Sequence, residues 1–249
     1  MTETSPETVL EAERPNIEHL VTEDDEPVDE ILIERPNIEH LITEDDTPVD
    51  NLPSEKQQRL LVEPLYSSWG VDRPFIAAAN VGIFGIVNQP PIVPDMFLSL
   101  DVQVAEDWWA KESRSYFLWE FGKPPDVVVE IVSNTKGREN DRKLADYARL
   151  RVWYYVIFDP QRLIQAERLK VYELRLGEYA PKPDHRLDKV GLGLTLWEGV
   201  FEEKQAQWLR WCNLAGEIIP TGRERAEQER QRAERLAAQL KALGIEPEV

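Results

Sequence analysis

Two Pro-Asp steps, each running into an apolar strand, set the chemistry this chain offers. The first is Val93-Pro94-Asp95-Met96-Phe97-Leu98. The second, Pro124-Pro125-Asp126-Val127-Val128-Val129-Glu130-Ile131-Val132-Ser133, places the carboxylate of Glu130 inside a run of β-branched residues. An acid in a strand that otherwise reads as core is costly unless it is paired or holds a metal ion. Alternation puts Val128, Glu130 and Val132 on one face of that strand, and Val129 and Ile131 on the other. Asp126 shares the Glu130 face, but four residues along a strand span roughly 13 Å, too far for both carboxylates to hold one ion. A second acid must come from another strand, and Asp95, at the start of a strand over 95–104, is the best candidate. Two carboxylates converging from neighbouring strands make the oxygen-rich site that Mg²⁺ prefers. Asp95 and Asp126 also fit a plainer role as caps of Pro-Asp turns, which the distance argument favours for Asp126.

The elements that must position these acids are legible in outline. Ser54-Glu55-Lys56-Gln57 has the spacing of a capping box and opens a helix carrying Leu60, Leu61 and Leu65, with Pro64 limiting its run. Residues 74–88 alternate apolar and small residues around Gly82 and Gly85, which predicts a strand or hairpin. Strand signals continue at 95–104, 116–121, 126–133 and 153–158. Between the last two, a helix over roughly 138–151 presents Leu144, Tyr147, Ala148 and Arg151 on one side, giving a βαβ-like crossover. Leu169–Leu174 and Glu178–Ala180 flank Leu176-Gly177 as a hairpin. Leu192–Trp197 and Val200–Phe201 add short strands, and Trp208–Asn213 with Glu217–Pro220 flank Ala215-Gly216 as another hairpin. From Arg223 to Leu243 the chain reads as a charged helix with a short apolar seam of Leu236, Leu240 and Leu243.

Composition limits the partners. The net charge of -18 is unfavourable for phosphate binding, but it is unevenly spread. Residues 1–55 hold 18 of the 47 acids and only two bases, Arg14 and Arg35, so the remaining 29 acids face 27 bases. A near-neutral body can still carry a local basic groove. Within the acidic segment, Glu13-Arg14-Pro15-Asn16-Ile17-Glu18-His19-Leu20 returns 21 residues later as Glu34-Arg35-Pro36-Asn37-Ile38-Glu39-His40-Leu41. Two acidic copies without an aromatic residue bury too little surface to fold alone, so residues 1–53 read as a disordered acidic tail with a duplicated motif. A plain duplicated disordered tail is the favoured reading; the sharper alternative is a doubled short motif that recruits a partner, or an acidic segment that masks a DNA site. The single cysteine, Cys212, excludes an internal disulfide, and the three histidines, His19, His40 and His185, argue against a histidine-rich metal site. No apolar run is long enough to span a membrane, and the N-terminus lacks a secretory pattern, so a cytoplasmic location without membrane contact is expected.

The stretch from Pro125 to Ser133, followed by Lys143, Tyr147 and Trp153-Tyr154-Tyr155-Val156-Ile157-Phe158-Asp159-Pro160, resembles the bacterial putative restriction endonuclease family. That family is also called the Uma-two type, or domain of unknown function 820. Pro91-Ile92-Val93-Pro94-Asp95 is similar to its first acidic motif. The resemblance covers about residues 54–220 and excludes the acidic repeat. It implies the PD-(D/E)xK nuclease superfamily and an α/β fold class, in the sense of an α+β mixed sheet flanked by helices. The expected architecture is a restriction-endonuclease-like core (54–220) with added β-hairpins, followed by a charged C-terminal helix (221–249). The implied activity is a Mg-dependent endodeoxyribonuclease, with Asp95 and Glu130 holding Mg²⁺ and Lys143 assisting the attacking water. Dimers are expected by analogy, since two strands must be cut.

The superfamily's lysine ordinarily lies two residues after the acid, where this chain has Val132. Lys143 on the following helix is the replacement the resemblance offers, and Lys136 is the alternative. Lys143 and Tyr147 share a helix face, but Lys143 also stands four residues from Glu139, a surface pairing. Glu55 or Glu63 on the first helix would be a third carboxylate. Trp108, Trp109, Tyr116, Phe117 and Trp119 suit base stacking or core packing. The chain has no phosphate-binding glycine loop or nucleophile elbow. The rival to a nuclease is a catalytically weak or inactive nuclease-fold protein acting as a DNA- or protein-binding module. A two-carboxylate glycosidase has no support beyond the presence of acids.

Overall fold

The computed structural model describes residues 51–107, 109–133 and 138–244, excluding the side chains of 138–141. In chain order the first elements are α1 (Leu52–Ser68), β1 (Phe75–Ala78), β2 (Ile83–Phe84), β3 (Met96–Leu100), β4 (Tyr116–Phe117) and α2 (Leu118–Phe121). Next come β5 (Val127–Ile131), α3 (Arg138–Leu150), β6 (Tyr154–Phe158), β7 (Leu169–Arg175) and β8 (Glu178–Lys182). The chain continues through β9 (Arg186–Leu187), β10 (Leu192–Phe201), β11 (Lys204–Asn213) and α4 (Gly222–Ala242). The acidic repeat up to residue 50, Trp108, Lys136 and the side chain of Glu139 lie outside the described residues.

Six strands form one mixed sheet in the order β1-β3-β5-β6-β7-β8. β5 and β6 run parallel and are joined through α3, as their strand–helix–strand order predicts, while the other neighbours in the sheet are antiparallel. Every residue of β5 and β6 is buried, which suits central strands covered on both faces. On one face Val127, Val129, Ile131, Tyr154, Val156 and Phe158 pack with Leu61 and Leu65 of α1 and with Leu194, Leu209 and Trp211 of the β10–β11 pair. On the other face Val128, Val132, Tyr155 and Ile157 pack with Tyr147 of α3, and with partly buried Leu144 and Leu150. Period-two alternation thus places Glu130 on the face that α3 covers. Gly85 allows the close approach of that helix, since an added Cβ would clash with a Leu150 methyl.

Several local expectations are corrected. The first helix is capped by Asn51, whose side chain accepts from Ser54 N–H at 2.9 Å, with a proline in the first turn. Gln57 does not close a capping box. It is buried and docks on β11, donating to Leu209 O at 2.9 Å and accepting from Leu209 N at 3.0 Å. Pro64 does not stop α1, which continues to Ser68, and the turn before it receives an outside donor from Trp211 Nε1 to Leu61 O at 2.7 Å. Residues 118–121 form a helical turn, not strand, closed by Gly122 in the left-handed region at φ 70°. β1 and β2 do not pair with each other: β1 joins β3, and β2 joins β4.

The hairpin about Leu176-Gly177 forms as β7–β8. β10 is one continuous ten-residue strand, paired with β11 along its length. Glu217–Pro220 adds only an isolated bridge from Ile218 to Cys212. α4 begins with a capping box between Thr221 and Glu224, and has no buried residue. No helix among the described residues is long and apolar enough to cross a membrane.

Candidate active site

Asp95 immediately precedes β3, and Glu130 is the fourth residue of β5. β3 and β5 are antiparallel with Met96 opposite Val129, so the next residues along are Asp95 and Glu130. Both carboxylates are buried, at 8% and 4% exposure. The distance between them is bridged by main chain: Asp95 Oδ2 accepts the Ile131 N–H at 2.6 Å, one residue beyond Glu130. Its other oxygen accepts Gln58 Nε2 from α1 at 3.0 Å. Gln58 is locked in turn by Asn80, which donates Nδ2–H to Gln58 Oε1 at 3.0 Å. Asn80 also donates its main-chain N–H to Asp95 O, from a left-handed φ of 54° that asparagine tolerates.

Glu130 is gripped by two residues one turn apart on α3. Lys143 Nζ donates to Oε2 at 2.8 Å, and Tyr147 Oη donates to Oε1 at 2.6 Å. Spacing of four on a helix puts both side chains on the face turned to the sheet. Burial raises the Glu130 carboxyl to about 7; the Lys143 charge opposes the rise and the Asp95 charge adds to it. Burial, with the Glu130 charge beside it, also drives the Tyr147 phenol well above its ordinary value, so it stays a proton donor.

The remaining sequence candidates separate clearly. Asp126, at the far end of β5, accepts Leu100 N–H at 2.8 Å and Lys123 Nζ at 2.6 Å, a turn-fixing role. Val132 is buried against the α3-facing core and carries no polar group to Glu130. Glu63 accepts Gly222 N–H at the start of α4, and Glu55 pairs with Arg59 on α1. Tyr116 and Phe117 are core residues, Trp119 packs on Phe117, and Trp109 is exposed. Sequence reasoning missed Gln58 and Asn80. Gln58 had a readable signal, because it stands three and seven residues before Leu61 and Leu65 and is therefore a polar member of an apolar stripe. Asn80 had none beyond its loop position.

The donor set fits a hard divalent cation. Two ionised carboxylates in one buried place repel, which is one cause of the raised Glu130 value, and a cation removes that conflict. Carboxylate oxygens are the ligands that Mg²⁺ selects, usually one or two from protein with waters completing the shell. No group of three or more His, Cys, Asp or Glu side chains placed for a metal exists among the described residues, so the carboxylates proposed for an ion are this pair.

Residues 47–201, more than half of the chain, match the family described as Uma2, putative restriction endonuclease. Among solved structures, a putative nuclease belonging to DUF820 from Anabaena variabilis ATCC 29413 is similar, with a TM-score of 0.39 and 16% identity. That similarity covers 55% of this chain and 72% of the other. No curated protein matches the chain.

Proposed function

The chain belongs to the Uma2 family of putative restriction endonucleases, and from that premise we propose that it is a Mg²⁺-dependent endonuclease that hydrolyses phosphodiester bonds in DNA. In this reading Asp95 and Glu130 hold the ion and Lys143 assists the attacking water. The observation that carries it is the 2.8 Å contact of Lys143 with Glu130. It supplies from α3 the amine that the strand itself lacks at Val132. When bound, the ion would stabilise charge on the phosphate and lower the pKa of a coordinated water.

The chain's own residues do the rest. Gln58 and the Ile131 N–H fix the direction of the Asp95 carboxylate. Tyr147 fixes Glu130 from the core side. The Lys143 side chain is 21% exposed, so its ammonium sits at the boundary between the buried acids and solvent. An ammonium has three N–H donors, which suits a group that touches a carboxylate and also orients water or a phosphate oxygen. The acidic segment 1–53 is proposed as a separate region that recruits a partner or masks the DNA site.

A second reading is favoured by one observation. Val132 occupies the position of the superfamily lysine, and Lys143 is engaged with Glu130, so the protein would bind DNA or protein while cutting weakly or not at all. Plasmid cleavage with and without Mg²⁺, on the wild type and on Glu130→Ala, separates the two. Metal-dependent cleavage lost in the variant is the expected result. Cleavage that survives in Glu130→Ala refutes the site, and none in either protein, with the acidic segment removed, favours the binding module.

A further inference from the structure

The two partners of Glu130 are physically unlike. Tyr147 is fully buried, its ring packed in the α3-facing core with a centroid 5.4 Å from that of Tyr155. A phenol has two side-chain torsions, both fixed here by packing. Lys143 is a long, flexible side chain, partly exposed, with a compact charge that water solvates well. Each takes a different oxygen, so one can leave without disturbing the other. The Tyr155 hydroxyl, buried nearby, has no hydrogen-bond partner among the described residues and does not draw the Tyr147 proton away.

We infer that Tyr147 is the fixed anchor of Glu130, a positioning residue that holds Oε1 so that Oε2 serves an exchangeable partner, either the Lys143 ammonium or a divalent cation. The inference rests on the reading of Asp95 and Glu130 as ion ligands. Without the anchor, Glu130 in its buried slot is free to turn toward whichever charge is nearest. With it, the carboxylate keeps one orientation while Lys143 swings from Glu130 to a water or phosphate oxygen. The two residues then have opposite effects on the ion. Tyr147 prepares the ligand for it, and Lys143 competes with it for the same oxygen.

Calorimetric titration of the full chain with Mn²⁺ and Mg²⁺ tests this without any need for cleavage. Tyr147→Phe keeps the ring and removes only the hydroxyl, and it is expected to weaken ion binding about ten-fold or more, the usual effect of losing a partner of a metal ligand. Lys143→Met is expected to bind the ion as well as the wild type or more tightly. Where cleavage is measurable, Tyr147→Phe should raise the metal concentration for half-maximal rate while the rate at saturating metal recovers. Binding by Tyr147→Phe equal to wild type, with Glu130→Gln having lost it, overturns the anchor but leaves the ligand reading standing. Equal losses in Tyr147→Phe and Lys143→Met overturn it as well, because the asymmetry is gone. Ion binding undiminished in Glu130→Gln overturns the ligand reading, and the anchor with it.

Discussion

Replacing Glu130 by glutamine should make the metal-free protein more stable at alkaline pH. In the unfolded chain this carboxyl titrates near 4.5, and burial in the fold raises it to about 7. Folding therefore takes up a proton between those values. The stability this group contributes is fully present below pH 4.5 and is lost as pH rises through 7. The gap between 4.5 and about 7 corresponds to about 3 kcal/mol. Glutamine keeps the shape and can still accept from Tyr147, so the penalty disappears. The pull of the Lys143 charge is already contained in that raised value, so losing it takes nothing further from the gain. A gain of about 3 kcal/mol remains, equivalent to about 6–12 °C in melting temperature for a domain of this size.

Thermal unfolding followed by circular dichroism, in EDTA across pH 4 to 8.5, is the assay. The Glu130→Gln advantage should be absent near pH 4, grow between 4.5 and 7, and level off above. Added Mg²⁺ should then stabilise the wild type and narrow the difference, since a ligand that binds only the folded state raises its stability. A variant no more stable than wild type at pH 8, or one with the same offset at pH 4 and pH 8, would refute the claim that Glu130 is a strained buried acid.

Two further outcomes test the surrounding assignments. Asp126→Ala removes the acceptor for Leu100 N–H and Lys123, and should lower stability by about 1–3 kcal/mol while ion affinity per folded molecule is unchanged; a loss of ion affinity would show that Asp126 belongs to the site. Removing residues 1–50, which spares the Asn51 cap of α1, should raise DNA affinity in binding titrations mainly at low salt, where a charge-driven mask is strongest; an unchanged salt profile would remove the masking idea.

Much of the scaffold was legible because it depends on local periodicity. The alternation of β5 is a property of five consecutive residues, and it alone turned Glu130 toward one face. The crossover through α3 followed from the same kind of reading. The errors fall where tertiary contacts override a local signal. Phe117 to Phe121 is mostly apolar, broken only by Glu120, and suits strand or helix equally, and the left-handed Gly122 and the packing of Phe121 on Tyr116 decide it. Pro64 reads as a breaker, yet α1 runs through it to Ser68, packed along β11 with the Trp211 indole donating to Leu61 O. Gln57 and Gln58 are adjacent in sequence and point to different duties, one holding β11 and the other Asp95. No spacing rule separates them, because the difference is made by what lies 152 residues away for Gln57 and 37 for Gln58.

The placement of the amine on α3 and the acid on β5 also makes the site depend on tertiary packing. A lysine two residues from its acid on the same strand would face it as soon as that strand was extended. Here Lys143 meets Glu130 only where α3 is docked, and the docked helix has Leu150 against Gly85 and the carbonyl of Val152, just past the helix, accepting from Tyr179 Oη at 2.9 Å. Tyr179 belongs to β8, the edge strand furthest in the sheet from β1. The acid–amine pair thus depends on a hairpin that follows the helix in the chain. A nascent chain with its strands and helices formed but not yet packed carries the groups of the site without the site itself.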